Sequence, residues 1–272
     1  GVRQSFREPK KYILDNTVST TNLSGFVKKE EIQKFLIAST SSIYGDSGET
    51  PMKEDIDEKY PPPSVYASSK LSGELMAKTI LDDIETCIQI PRFFTVYGPY
   101  GRPDMSILRF IHWIYTGTEI LLYGDGNQKR SFTYIDDVVN ALILFVEKPA
   151  SIDNQFDQIN PLASSSFAPA RIFNIGNSNK VKLIDFINII EKEIGIKAIK
   201  NFLPMQMGDV KSTFADTSKI EEWISFKPKT ELKLGINKFV DWYRKYLAWF
   251  NRRFHIFSSY FNFYFSYTGL VY

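Results

Sequence analysis

The sequence predicts an α/β protein in which helices cover both faces of a mainly parallel sheet. Segments of strand-like composition alternate along the chain with segments of helical period, and this alternation is typical of parallel sheets. An apolar share of 43% in 272 residues is enough to bury the core of one large domain or of two closely packed ones. One strand-like run, FLIASTSSIYG at 35–45, ends in four consecutive hydroxyl residues, which is more than a strand end needs.

The expected elements follow one another in a simple order. A short strand at Phe35–Ala38 is followed by strands in CIQIPRFFTVYG (87–98), EILLYGDG (119–126) and RIFNIGN (171–177). Helices are expected in SSKLSGELMAKTILDDI (68–84), IDDVVNALILFVEK (135–148) and KLIDFINIIEKEIG (182–195). The second helix carries two acids in its first turn, where the helix dipole favours them, and Gly195 ends the third.

Two loops divide this pattern. In GPYGRPDM (98–105), Gly and Pro cluster after a strand, which predicts a domain boundary. Segment 149–170 is long, polar and rich in Ser and Pro, so we expect an insertion on the surface.

Charge and composition exclude several classes of protein. The chain carries 33 Lys and Arg against 31 Asp and Glu, a net charge of +2 that predicts no nucleic-acid partner. His112 and His255 stand far apart without Cys or carboxylates at ligand spacing, so no metal site is expected. The single cysteine, Cys87, predicts a reducing compartment, the cytoplasm. Nowhere do 18 apolar residues run together, so there is no clear membrane span.

The second chemical signal is the pentapeptide YASSK at 66–70. Tyr66 and Lys70 stand four residues apart, so they share one face of a helix that is expected to begin near Pro63 and Ser64. An ammonium held near a phenol favours the phenolate, and a phenol in this setting can act as a general acid and base. The hydroxyl run lies about 25 residues upstream at the carboxyl end of a strand, where ligands bind in parallel sheets.

Each signal alone has an ordinary structural explanation. A Tyr and a Lys at this spacing are commonly a pair on a helix surface, and hydroxyl residues commonly cap a strand. Together, and in this order, they favour a reactive site over packing.

Five motifs in order give the sequence a resemblance to a known family. They are STSSIYG (39–45), YASSK (66–70), RFFTVYGPYGRPDM (92–105), KRSFTYIDDVV (129–139) and MGDVKSTFADTSK (207–219). With this set the chain resembles the extended short-chain dehydrogenases/reductases of the NAD-dependent epimerase/dehydratase family, which act on nucleotide sugars. Within that family it resembles the UDP-glucuronate 4-epimerases, and the resemblance covers residues 1 to about 246.

The resemblance implies a doubly wound, Rossmann-like domain that binds NAD and a smaller C-terminal region that binds a UDP-sugar. Residues 1–97 then belong to the first and 98–246 mainly to the second, with segments at about 131–150 and 171–177 returning to the first. The GxxGxxG loop with which the family begins is absent, so we expect an N-terminally truncated chain without the first half of its NAD domain. Such a chain can be inactive alone. Residues 247–272, with 11 aromatics, lie outside the family pattern.

The resemblance also assigns roles to residues of this sequence. Thr40 and Tyr66 are expected around the 4-hydroxyl of the sugar, and Lys70 is expected to hold the nicotinamide ribose and tune Tyr66. The expected catalytic residues are therefore Tyr66, Lys70 and Thr40. The expected contacts of the NAD cofactor are Ser39, Tyr66, Lys70 and Phe93. The expected contacts of the substrate are Arg3, Thr40, Ser41, Ser42, Thr95, Arg102, Arg130 and Asp209.

Four of the substrate contacts have a specific expected role. Arg130 resembles the clamp on the diphosphate, and Arg3 resembles a residue near the substrate phosphates. Asp209 resembles the acceptor for the uridine ribose. Arg102 lies in the stretch that covers the C5 substituent of the hexose, and its guanidinium suits a carboxylate there.

The expected reaction is NAD-dependent epimerisation at C4 of UDP-glucuronate to UDP-galacturonate through a 4-keto sugar. Ser41 and Ser42 follow Thr40 where dehydratases and decarboxylases of the superfamily carry acids, which favours the epimerase. Another epimerase, dehydratase or decarboxylase of the family remains an alternative, as does a non-catalytic chain that binds a partner through its aromatic tail. A homodimer is one expected assembly.

Overall fold

The computed structural model describes residues 1–45, 51–55, 62–83, 85–160, 162, 164–205 and 212–254, with side chains up to residue 247. The helical elements are α1 (Val2–Arg7), α2 (Pro9–Tyr12), a π-helical segment (Ile13–Val18), α3 (Ser19–Lys29), a 3-10 turn (Ser41–Tyr44), α4 (Val65–Ile80), α5 (Ser106–Thr116), α6 (Ile135–Glu147), α7 (Leu183–Ile194), α8 (Ser218–Ile224) and α9 (Leu232–Phe254). The strands are β1 (Lys34–Leu36), β2 (Ser39–Thr40), β3 (Cys87–Phe93), β4 (Val96–Tyr97), β5 (Ile120–Tyr123), β6 (Lys129–Ser131), β7 (Thr133–Tyr134), β8 (Ala170–Ile175), β9 (Lys180–Lys182), β10 (Lys200–Leu203) and β11 (Ser212–Thr213).

The main sheet is built around β3. β1 and β2 follow one another along one side of β3, β8 lies on the other side, and every one of these pairs is parallel. The register places Ser39 opposite Arg92 and Thr40 opposite Phe93. The carboxyl ends of β2, β3 and β8 therefore meet at one edge, where the hydroxyl run begins. The predicted parallel sheet is confirmed.

Apolar layers cover this sheet on both faces, as the α/β class requires. On one face, Val27 of α3 and Ala77 of α4 pack with Ile88 and Ile90 of β3. On the other face, α6 and α8 pack on β8 in a cluster formed by Val138, Ala141, Phe145, Phe173, Ile175, Ile220 and Ile224. Helices on both faces thus bury the apolar residues of both sides of β3 and β8.

Local sequence signals set the ends and the packing of the helices. The Ser64 hydroxyl accepts a hydrogen bond from the Ala67 amide at 3.1 Å. This bond caps the N-terminus of α4, so the helix begins at Val65 and includes Tyr66 in its first turn. Gly73 lets α4 approach α3 closely, because a Cβ at this position would lie 3.3 Å from the Thr20 Oγ1. Gly195 ends α7 in the left-handed conformation, with φ of 82°, as predicted.

A second apolar cluster joins α5, α7 and α9 with β5. Within it, the buried His112 side chain shares a hydrogen bond of 2.6 Å with the Tyr243 hydroxyl. Burial lowers the pKa of His112 to about 4, which keeps this imidazole neutral near pH 7.

Within the part of the chain that the structure describes, no helix is long and apolar enough to cross a bilayer.

The prediction that segment 149–170 is a surface insertion is wrong for its second half. Ser164, Ser165 and Ser166 are buried, at 4–8% exposure. The Ser164 amide donates to the Asp55 carboxylate at 2.8 Å, and its hydroxyl contacts the Lys219 ammonium. The composition of the segment indicated a loop exposed to solvent, but Ser164 finds polar partners in distant segments, and Ser166 bonds to Ala168 nearby.

The core on the α6 face yields a stability prediction. Phe145 is fully buried and stacks on Phe173 with a centroid distance of 4.9 Å. Phe145→Ala should lower the free energy of unfolding by about 3–5 kcal/mol, because it removes buried area and leaves a cavity. Denaturant unfolding measures this change. The matched control is Ile143→Ala on the same helix, since Ile143 is 52% exposed and its loss should cost below about 0.5 kcal/mol. Equal losses in the two variants would contradict the assigned core.

Candidate active site

The four hydroxyl residues at the end of β2 have different partners. The Thr40 Oγ1 accepts a hydrogen bond from the Ser42 amide at 3.2 Å, which starts the 3-10 turn, and donates to the Ser42 Oγ at 3.2 Å. The Ser39 hydroxyl instead donates to the Glu74 carboxylate. Ser41 and Ser42 are half-buried. Within the run, Thr40 therefore caps the 3-10 turn and Ser39 binds α4, and Ser41 and Ser42 place hydroxyls at the carboxyl edge of the sheet.

Tyr66 and Lys70 lie in the first turns of α4, and both are half-buried. The edge of the Tyr12 ring packs against Tyr66, with ring centroids 6.1 Å apart and planes at 82°. Burial lowers the pKa of Lys70, and the Glu74 carboxylate opposes this effect. The partly desolvated ammonium and the phenol stand one helical turn apart, as the spacing predicted.

Sequence reasoning missed Glu74, the most buried charge beside this pair. Its carboxylate is 2% exposed and accepts two hydrogen bonds from the Arg92 guanidinium, at 3.1 and 2.7 Å. Glu74 follows Lys70 at the same spacing of four that joins Tyr66 to Lys70. That continued spacing was the available signal.

Three of the expected substrate contacts line one cavity of about 330 Å³. They are Arg3, Thr95 and Arg130. Further wall residues that sequence reasoning missed are Arg109, Trp113, Tyr123 and Gln128. The Arg3 guanidinium lies 4.5 Å above the Tyr123 ring, and the Arg109 guanidinium lies 4.2 Å above the Trp113 ring.

The chemistry of this cavity suits a ligand with both negative charge and a flat ring. Guanidinium groups bind phosphate oxygens with paired hydrogen bonds, and aromatic side chains pack against planar bases. The signal that could have revealed Arg109 is a lone charge inside SILRFIHWI, an otherwise apolar helix.

Arg102 lies in the loop before α5, close to the Tyr12 side of the site. Its guanidinium donates to the Asp104 carboxylate at 3.1 and 3.0 Å, and the pair is exposed to solvent. Burial raises the pKa of Tyr12, and the Arg102 charge acts in the opposite direction. The Arg102 charge therefore acts on Tyr12, the residue that packs on Tyr66.

Two expected contacts, Phe93 and Asp209, remain to be placed. The half-buried Phe93 packs against the apolar cluster of α6 and α8. Asp209 lies outside the described residues, as do residues 255–272 of the aromatic tail.

The donors at the start of α4 suit one end of NAD. A phenol and a partly buried ammonium, one turn apart, can bind the two hydroxyls of a ribose and lie beside a nicotinamide. Lys70 and Tyr66 are the residues that would hold it. The 272 residues contain no GxxGxxG loop for the pyrophosphate, so the fit concerns the nicotinamide ribose end.

Comparison with known proteins agrees with this arrangement. The sequence pattern of the NAD dependent epimerase/dehydratase family matches residues 1–176. The chain belongs to this family. Protein CapI of Staphylococcus aureus is 41% identical over 248 residues, which are 90% of this chain and 73% of that protein. A probable UDP-glucuronate 4-epimerase of Rhizobium meliloti (strain 1021) is 39% identical over 244 residues, with 89% and 71% covered.

A solved structure supports the same relationship. The UDP-glucuronic acid 4-epimerase from Bacillus cereus, in complex with UDP-glucuronic acid and NAD, superposes with a TM-score of 0.75 at 32% identity. The match covers 90% of this chain and 73% of that one. The predicted resemblance, the Rossmann-like α/β class, the enzyme class and the NAD cofactor are thereby confirmed.

Proposed function

We propose that the chain is a UDP-glucuronate 4-epimerase that interconverts UDP-glucuronate and UDP-galacturonate through a 4-keto sugar. The observation that carries this proposal is the position of Thr95. It lies two residues after Phe93, the partner of Thr40 in the sheet, and it also lines the cavity that contains Arg3 and Arg130. A UDP group in the cavity would thus extend its sugar toward the strand-end hydroxyls and α4.

Tyr66 is the acid and base of this proposal. Its phenolate takes the proton of the sugar 4-hydroxyl as the carbonyl forms, and the phenol returns this proton when the hydroxyl is restored. Lys70, one turn away, stabilises the phenolate by its charge. The Thr40 hydroxyl supports the oxygen at C4 by a hydrogen bond. NAD, when bound, would accept the hydride from C4. Return of this hydride to the opposite face would invert C4 without net redox change.

The residues after Thr40 favour epimerisation over elimination. Dehydration needs a base that removes a proton from C5, and Ser41 and Ser42 provide no carboxylate at this place. The hydroxyls instead can bind the sugar ring and its acid group.

Arg102 is the residue that we propose selects a sugar with a carboxylate at C5. Once C4 is a ketone, glucuronate is a β-keto acid that loses CO₂ when its carboxylate bond aligns with the ketone π system. A guanidinium that binds both carboxylate oxygens can hold the group out of this alignment. In the structure the Nε and Nη2 of Arg102 bind Asp104 in this bidentate manner, so the sugar carboxylate would take the place of Asp104 on the guanidinium.

We also propose action in the cytoplasm and as a homodimer. The single cysteine supports the first. Exposed apolar side chains on two packed helices, Leu23 and Phe26 of α3 and Leu75 and Met76 of α4, support the second.

Binding of the nucleotide can be tested without turnover. Arg130→Ala should weaken binding of UDP about tenfold or more, because a charge-assisted hydrogen bond contributes about 1.5–3 kcal/mol. Titration calorimetry of the chain with UDP measures the affinity. Lys129→Ala removes a neighbouring exposed charge and should leave the affinity nearly unchanged. Equal affinities of the Arg130→Ala variant and the unchanged chain would remove Arg130 from the nucleotide site.

Replacement of the phenol tests the mechanism. Tyr66→Phe should lower kcat by about 10²–10⁴, the usual contribution of a general acid and base, with sugar binding retained. The assay follows UDP-galacturonate formed from UDP-glucuronate with NAD supplied. Tyr115→Phe on α5 is the matched control and should keep kcat. A Tyr66→Phe variant with near-normal kcat would exclude Tyr66 as the acid and base.

Replacement of Arg102 tests the substrate. UDP-glucuronate should be preferred over UDP-glucose, and Arg102→Ala should lose this preference and release CO₂ with a UDP-pentose. Chromatography of the nucleotide products and the ratio of kcat/KM values measure both effects. Lys233→Ala, an exposed charge on α9, is the control. Equal activity on both sugars before mutation would refute the proposed substrate, and an unaltered product pattern in Arg102→Ala would refute the role of Arg102.

A further inference from the structure

Glu74 is the third member of a regular row on α4. Tyr66, Lys70 and Glu74 follow at intervals of four, so their side chains lie above one another along one face. Two of them carry the proposed chemistry. The third is buried beneath them and reaches the sheet.

The contacts of Glu74 tie α4 to two strands. One oxygen accepts from the Ser39 hydroxyl of β2 and from the Arg92 Nε of β3 at 3.1 Å, and the other accepts from the Arg92 Nη2 at 2.7 Å. Ser39 and Arg92 are paired in the sheet, and the next pair is Thr40 with Phe93. One carboxylate thus fixes α4 to the register position directly before the strand-end hydroxyl.

Stability alone gives little reason for this ion pair. Arg92 and Glu74 have side chains exposed by 4% and 2%, so both charges are removed from water. Desolvation of two charges offsets most of their attraction, and apolar pairs of similar volume are often as stable. Arg92 also donates to the Glu54 carbonyl oxygen at 3.3 Å, although Ile88 and Ile90 of the same strand lie in an apolar cluster.

The charges have a clearer consequence for Lys70. The Glu74 carboxylate lies one turn from the Lys70 ammonium, and without Arg92 it would be a buried anion that attracts this ammonium toward the sheet. We propose that Glu74 is a positioning residue for Lys70: its carboxylate, neutralised by Arg92 and bound to Ser39, anchors α4 while leaving the ammonium directed toward Tyr66. The inference rests on the proposed role of Lys70 in the epimerase.

Charges at the other end of this row lie beside Tyr12: the Gly1 ammonium donates to its phenol at 2.6 Å, and Arg102 and Asp104 act on the same phenol. The π-helical segment faces α4 with Asn16 and Thr17, which bond to Ser69 at 2.9 and 3.0 Å. α2 contributes the Tyr12 phenol beside Tyr66. The Glu74 carboxylate is the charge that acts on Lys70, in opposition to burial. Changes at positions 74 and 92 therefore report on Lys70 directly.

Three variants should shift the pKa of Lys70 in different directions. In Arg92→Met, the unneutralised carboxylate should raise the pKa of Lys70 by about one unit. In Glu74→Gln, the unneutralised guanidinium should lower it. In the double variant the pair is neutral again, so the pKa should return close to its original value. NMR titration of the chain labelled at lysine Cε, with the Lys70 signal assigned by its loss in Lys70→Arg, measures all three.

The controls separate this role from loosened packing and from the enzyme's activity. Asp83→Asn removes an exposed carboxylate beyond the other end of α4 and should leave Lys70 unchanged. Loosened packing would shift Lys70 in one direction in every variant, and that result, or no shift in folded variants, would overturn the proposal. If Arg92→Met does not fold, comparison of Glu74→Gln with the double variant still tests the direction of the Lys70 pKa shift. The titration needs neither NAD nor sugar, so a failed epimerase assay leaves its outcome intact.

Discussion

The parallel pairing of β3 with β2 on one side and β8 on the other decides where the polar groups of this protein meet. Parallel strands bring their carboxyl ends to the same edge, and the register sets Thr40 beside Phe93 there. Thr95 continues from the same strand into the wall of the cavity. A slip of one residue would turn Ser39 to the opposite face and break its hydrogen bond to Glu74 of α4. The strand-end hydroxyls and the cavity therefore share one structural origin.

The sequence was informative where local period and local chemistry agree. The helix around Tyr66 follows from apolar spacing and a Ser cap, and the end of α7 follows from Gly195, because these signals act within a few residues. Buried Ser164 could not be foreseen, since its burial depends on Asp55 and Lys219, far away in the chain. Composition describes the average behaviour of a residue type, whereas burial is decided by the partners that the fold supplies.

The same limit applies to the site. That Tyr66 and Lys70 share one face of a helix could be predicted from spacing alone, because the helical period fixes it. The environment of Glu74 could not, because its partner Arg92 lies on β3 and only the folded register brings it near. Likewise the cavity combines Arg3 with residues more than a hundred positions later. Spacing specifies faces of helices, but the composition of a cavity depends on tertiary contacts.

The strands behind the cavity have a consequence for the order in which the molecule forms during synthesis. β5, which carries Tyr123, pairs with β10 at residues 200–203, and β6, which carries Arg130, pairs with β11 at 212–213. A nascent chain that has left the ribosome as far as residue 195 holds α4 and the strand-end hydroxyls complete. Its cavity wall still lacks the two strands that support it. The strand-end hydroxyls and α4 are thus synthesised before the strands that support the cavity wall.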